Sequence, residues 1–414
     1  MVFTANRSAA FKLLAESYPF QTSRKLLTVY DHESEAIETM TTASEKRGAR
    51  VMAAEFKWPR LRIHSAKLRT MIARKKKKKK YRGLFVFPLQ SRMSGASYSY
   101  QWMTMAQEHG WHVLLDACAL GPKDMDSFGL SLFQPDFLIC SFYKVFGENP
   151  TGFGCLFVKK SVVPILEDSS GAGIVSITPA KNFHEEFSST DTELEQDSMN
   201  RKSEENMTPD DQQQLELDKQ IVIVQEKETS NIECRCLDHM DSLGLMLVSS
   251  RGRYLINWLV SALMKLQHPN RLENFPLVII YGPKVKFDRG PALAFNLHDW
   301  KGEKVEPVLV QKLADRSNIS LSHGFLHHIC FSEKCEEEKQ RVLEKSIKEN
   351  ETARNKGKKA DHQGIAVVTI ALTFLANFED VYRLWAFIAQ FLDADFVEKE
   401  RWRYTALNQK TIEV

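Results

Sequence analysis

No apolar run in this sequence approaches the roughly 18 residues needed to cross a bilayer. Its first residues, Met1-Val2-Phe3-Thr4-Ala5-Asn6-Arg7, carry no apolar core of signal-peptide length. These absences argue against a membrane partner. The net charge is only +3, from 56 basic and 53 acidic residues, too small to imply a nucleic-acid partner by itself. Seven cysteines form an odd set without framework spacing, which excludes a disulfide scaffold and suggests reduced thiols in an intracellular, cytoplasmic protein. Zinc-type spacing is also missing. Cys234-Arg235-Cys236 with His239, and His323, His327, His328, Cys330 and Cys335, do not complete a tetrahedral set, so no metal is expected. There is no internal repeat.

What is present is a globular composition, 43% hydrophobic and 26% charged. Strand-like segments at 2–5, 25–30, 51–54, 84–87, 112–115, 137–140 and 154–158 alternate with helical patterns near 7–15, 34–47, 67–74 and 98–110. Several of these strands are continuous apolar runs. The pattern implies an α/β fold with a mostly parallel sheet covered on both faces. Residues 1–168 read as this large domain. Residues 169–232 read as a polar, disordered insertion with one isolated strand candidate at 220–225. Residues 233–275 read as a connecting helical segment, with its apolar helix at 252–266. Residues 276–414 read as a smaller α+β domain: antiparallel strands at 277–281 and 292–296, a helix at 308–317 and an apolar helix at 365–392. A charged linker lies near 333–362. The basic run Arg74, 75–80, Tyr81, Arg82 is read as a solvated loop; nuclear import or nucleic-acid binding is the less favoured reading.

The residues that carry chemistry centre on Ser141-Phe142-Tyr143-Lys144-Val145-Phe146-Gly147 and Pro150-Thr151-Gly152-Phe153-Gly154. A lysine held among aromatic residues has a lowered pKa. As a neutral amine it can form a Schiff base with a carbonyl, the way pyridoxal phosphate (PLP) is held. Asp116 ends a buried strand, where a carboxylate can pair with the pyridinium nitrogen. His32 follows another strand, where an imidazole can stack on the ring. Residues 4–8, with Asn6, Arg7 and Ser8, make a strand-to-helix turn suited to a phosphate, and Ser141 and Thr151 are further donors.

The lysine segment resembles that of the molybdenum cofactor sulfurases, within the class V aminotransferase and cysteine desulfurase superfamily of fold type I PLP enzymes. Phe3-Thr4-Ala5-Asn6-Arg7-Ser8-Ala9-Ala10-Phe11-Lys12-Leu13 resembles the phosphate turn. Tyr30-Asp31-His32-Glu33-Ser34 resembles the segment with the stacking histidine, and Leu114-Leu115-Asp116-Ala117-Cys118 that with the pyridinium aspartate. Leu237-Asp238-His239-Met240-Asp241-Ser242-Leu243-Gly244 is also similar to the family. The resemblance implies a PLP cofactor on Lys144, an amino-acid substrate such as L-cysteine, and a homodimer. It also implies an N-terminal segment ahead of Met1 and a C-terminal cofactor-binding domain, both missing from this sequence.

The departures are as specific. Arg92 stands where the family carries an asparagine near the cofactor oxygen. In Leu321-Ser322-His323-Gly324-Phe325-Leu326-His327-His328-Ile329-Cys330, Ser322 replaces the arginine that clamps a substrate carboxylate. No cysteine stands in register as the nucleophile; Cys330 or Cys335 are the candidates to substitute. Two readings follow: a PLP-dependent transferase with Lys144 also moving protons, or a catalytically degenerate homologue that binds or regulates.

Overall fold

The computed structural model describes residues 1–73, 81–119, 133–141, 154–167, 242, 244–269, 275–284, 289–332, 335, 339, 342–345, 363–373 and 376–410. The chain divides into one unit of Met1–Gly173 with Leu243–Val414 and another of Ile174–Ser242. The strand candidate at 220–225, most of the basic run and the Cys234–His239 cluster lie outside the described residues.

The first half contributes strands β1 (Val2–Thr4), β2 (Lys25–Thr28), β3 (Arg50–Ala53), β4 (Phe56–Lys57), β5 (Arg62–Ile63), β6 (Gly83–Pro88), β7 (His112–Asp116), β8 (Phe137–Ser141) and β9 (Gly154–Val158). Between them run helices α1 (Arg7–Ser17), α2 (Glu35–Lys46), α3 (Ser65–Ile72) and α4 (Gln101–Glu108). Seven strands form a sheet in the order β1-β9-β8-β7-β6-β2-β3. From β3 to β8 all pairs are parallel, whereas β9 runs antiparallel to both β8 and β1.

The apolar runs explain the layering. Side chains alternate across a strand, so a strand covered on both faces must be apolar throughout. Leu84, Phe85, Val86 and Phe87 are all fully buried. Leu84 and Val86 pack with Ala10, Phe11, Leu14 and Met40 of α1 and α2. Phe85 and Phe87 pack on the other face with Leu68, Ile72, Met103 and Ala106 of α3 and α4.

The helix α5 (Val163–Glu167) follows β9, and the C-terminal half adds α6 (Leu245–Leu263), β10 (Val278–Tyr281), β11 (Ala292–Leu297), α7 (Pro307–Arg316), β12 (Ser322–Leu326), β13 (Ile329–Cys330), β14 (Glu344–Lys345), β15 (Gln363–Ala371), α8 (Phe378–Ala389) and α9 (Ala394–Lys410). An antiparallel sheet runs β10-β11-β15-β12, with β14 on β15. A further small sheet joins β13, β4 and β5. The sequence reading of one apolar helix over 365–392 is corrected here. Its first part is β15, the strand between β11 and β12, and only its later part is α8. Ile365, Val367, Val368, Thr369 and Ile370 are β-branched and favour strand. Val367 and Val368 are both fully buried but belong to different hydrophobic clusters, as neighbours on a strand do. Asn377 and Asp380 then form a capping box that starts α8 afresh.

The parallel strands end on one edge of the large sheet. Residues after β2, β7 and β8 therefore converge there, as ligand-binding loops do in open α/β sheets. Cross-strand register brings Thr4, Gly154 and Ser141 side by side on the same edge. Gly154 permits that approach: a Cβ there would stand 2.8 Å from the Asn6 carbonyl oxygen.

Candidate functional site

A cavity of about 1040 Å³ opens at this edge. Asn6, Arg7, Ser8, His32, Arg92 and Ser141 line it from the large sheet. Arg253 of α6, Arg289, Ser322, His323 and Thr369 line it from the second half. Six residues singled out in the sequence thus meet in one place. Lys144 and Thr151 lie outside the described residues.

Asp116, at the end of β7, is 2% exposed and fully engaged. Its Oδ2 accepts a bond from Arg7 Nη2 at 2.6 Å and another from the Tyr30 hydroxyl at 2.9 Å. Its Oδ1 accepts from the Cys118 backbone N–H at 3.0 Å. Burial alone would raise its pKa; the Arg7 charge and these bonds outweigh burial and hold it at about 2. Burial likewise opposes the charge on Arg7, yet the Asp116 carboxylate keeps that guanidinium above its ordinary value. Arg7 Nη1 also donates to Ser34 Oγ at 2.9 Å, and its guanidinium lies 4.8 Å from the centre of the Phe11 ring.

His32 is set by a second buried carboxylate. Its Nδ1 is 2.7 Å from Asp31 Oδ1, and the hydroxyls of Ser91 and Ser94 donate to Asp31 at 2.8 and 2.7 Å. Burial would raise Asp31; the bond to His32 and the two serines bring it below the usual range instead. The same serines hold the turn that carries Arg92. From the second half, β12 locks onto this loop: Glu33 N–H donates to Phe325 O and His327 N–H to Asp31 O. The Arg92 side chain is exposed to solvent, and the Arg7 charge lies nearby. The Arg92 guanidinium faces the cavity and makes no hydrogen bond or ion pair among the described residues.

The anionic end of PLP would meet Ser8, Ser141 and Arg92, which all line the cavity. Asn6 serves differently from the expectation, since its Oδ1 caps its own helix by accepting from the Ala9 N–H at 2.8 Å. The ring-nitrogen end does not fit, because Asp116 already holds a full positive charge from the protein itself. Tyr30, Ser34 and Arg289 are site residues that sequence reasoning missed. Tyr30 sits inside the Tyr30-Asp31-His32 motif, whereas no local pattern marks Arg289, whose guanidinium donates to the backbone carbonyls of Pro283 and Ala292.

The thiols are placed as follows. Cys118 lines the cavity but is buried, and burial, with Asp116 beside it, raises its pKa well above the usual thiol range. Cys330 lies on β13, paired with β4, and is not among the cavity-lining residues. Cys335 is half-buried, with the Ser332 hydroxyl donating to its sulfur. Ser322 and His323 are exposed on β12. Among the described residues no helix is long and apolar enough to cross a membrane.

No family model matches the chain. The molybdenum cofactor sulfurase of Bos taurus is 24% identical over 422 residues, covering 94% of this chain and 42% of that protein. Molybdenum cofactor sulfurase 3 of Aedes aegypti is 28% identical over 194 residues, covering 44% of this chain and 24% of that protein. The chain therefore spans less than half the length of these curated relatives. An apo cysteine desulfurase from Thermococcus onnurineus NA1 superimposes with a TM-score of 0.56 at 15% identity, covering 94% of this chain and 78% of that one. That likeness shows the fold: an α/β, fold type I arrangement with a mixed, mostly parallel sheet.

Proposed function

We propose that this chain, similar over 94% of its length to molybdenum cofactor sulfurases and built on the cysteine desulfurase fold, is a ligand-binding homologue that does not release sulfur from cysteine. One observation carries this reading. The only cysteine lining the cavity among the described residues is Cys118, which is buried with a raised pKa, whereas sulfur transfer needs an accessible thiolate. Ser322 agrees with it, since a serine cannot form the bidentate clamp that an amino-acid carboxylate takes from arginine. The ligand is an anion of the phosphate class, received by Ser8, Ser141 and Arg92. The test is sulfide release from L-cysteine by the purified full chain with added PLP. No release above the buffer rate is expected; release that disappears in Cys330→Ser overturns the reading.

A second reading is a PLP-dependent transferase with the cofactor on Lys144. It is favoured by the placement of Asp116, His32 and Ser8 on one sheet edge, in the order the resemblance implies. Visible absorbance that borohydride traps, and that Lys144→Ala abolishes, is the result that would establish it.

A further inference from the structure

Arg7 lines the cavity and is paired with the buried carboxylate of Asp116 behind it; Arg92, another guanidinium of the lining, faces the same space. We propose that Arg7 permanently takes the place against Asp116 that a cofactor ring nitrogen would occupy. The cavity then selects ligands that bring an oxyanion to Arg92 and no cation to Asp116. This rests on the cavity being a ligand site, as argued above.

Three observations show that Arg7 is built into this position. First, an ionised carboxylate offers about four acceptor positions. Three on Asp116 are filled, by Arg7, Tyr30 and the Cys118 N–H, and the one charged donor is Arg7. Second, Arg7 is gripped from its other sides by Ser34 Oγ and the Phe11 ring, and its side chain is 10% exposed. Third, its Nε is buried without a partner, so turning the guanidinium away from Asp116 would leave a buried cation with fewer bonds still. A protonated ring nitrogen entering here would meet a like charge rather than a free carboxylate.

The charges also say what the cavity does accept. Asp116 offsets Arg7, and the cavity lining also holds Arg92, Arg253 and Arg289 against Glu33 and Glu35. Arg289 is engaged by backbone carbonyls, whereas the Arg92 guanidinium makes no hydrogen bond or ion pair among the described residues. Glu35 is exposed to solvent, where its field is screened.

The experiment compares two probes on the full chain: PLP itself and its ring-deaza analogue, in which a C–H replaces the nitrogen while aldehyde, hydroxyl and phosphate stay. Binding is followed by calorimetry. The wild-type chain is expected to bind PLP no more tightly than the deaza analogue, because neither gains a bond to Asp116. Arg7→Ala frees that carboxylate and is expected to shift the ratio about tenfold or more toward PLP. Arg7→Gln combined with Asp116→Asn, which keeps a neutral hydrogen bond, is expected to hold the ratio near that of the wild type. A wild-type preference for PLP of about tenfold or more overturns the proposal. So does a folded Arg7→Ala variant with an unchanged ratio, or the absence of saturable wild-type binding of either probe at millimolar concentration. Should Arg7→Ala fail to fold, the wild-type ratio decides. Sulfide release plays no part in this readout, so its outcome and the failure of the ligand-binding reading remain separable.

Discussion

Arg7 and Asp116 are 109 residues apart in the chain and 2.6 Å apart in the fold. The pair joins the first turn of α1 to the end of β7, so it links the edge strand β1 to the middle of the sheet.

Breaking one side of such a pair leaves an uncompensated buried charge. Asp116→Ala is expected to cost about 3–5 kcal/mol of stability. The double variant Arg7→Ala with Asp116→Ala should cost less than the two single changes added together. Urea unfolding of the four proteins measures this coupling, and strict additivity would contradict the pairing.

Three histidines make the fold acid-sensitive. His112, His298 and His327 each keep a buried ring nitrogen without a partner. Burial lowers His112 and His298 to about 4, and burial with His328 nearby lowers His327 to about 3. Their folded-state values lie below the unfolded value of about 6.5, so folding favours the neutral ring. The stability they contribute is complete above that value and is lost as pH falls through 6.5 toward 4. For His112, 1% exposed, the loss between pH 7.5 and pH 5 is about 2 kcal/mol. The Tyr18 hydroxyl, 2.7 Å from His112 Nδ1, stays protonated because burial raises its pKa. The urea midpoint at the two pH values is the measurement, with His112→Phe expected to reduce the difference.

Asp31 offers a third test. It accepts from His32, Ser91 and Ser94 while 1% exposed. Asp31→Ala removes the common acceptor of three buried donors and should cost about 3 kcal/mol or more. Ser94→Ala, which removes one donor, should cost about 1 kcal/mol. Chemical denaturation distinguishes the two; equal losses would mean that Asp31 does not organise the loop.

The strand assignment of β15 is tested by two neighbours. Val367 and Val368 are both fully buried, on opposite faces. Val367→Ala and Val368→Ala are each expected to destabilise by about 2 kcal/mol. A helix would spare one of the two.

Much of the large sheet was legible in the sequence because its strands are buried on both faces. The run Leu84-Phe85-Val86-Phe87 can be little else, and the polar residues that follow such runs had to fall on the edge where parallel strands end. Hence His32, Asp116 and Ser141 were found from local pattern. The run at 365–370 misled because a short apolar stretch carries no period of its own. Its strand character is set by β11 and β12, which pair with it from distant parts of the chain.

Sequence alone determined the α/β class and the strand-end positions of His32, Asp116 and Ser141, since each follows from burial pattern and turn chemistry within a few residues. Tertiary structure alone decided what those residues do to one another. Nothing local in Asn6-Arg7-Ser8 shows that its arginine will lie on the aspartate that ends β7. That contact depends on strand order and on burial, which makes one carboxylate and one guanidinium, 109 residues apart, each the charge that the other must find.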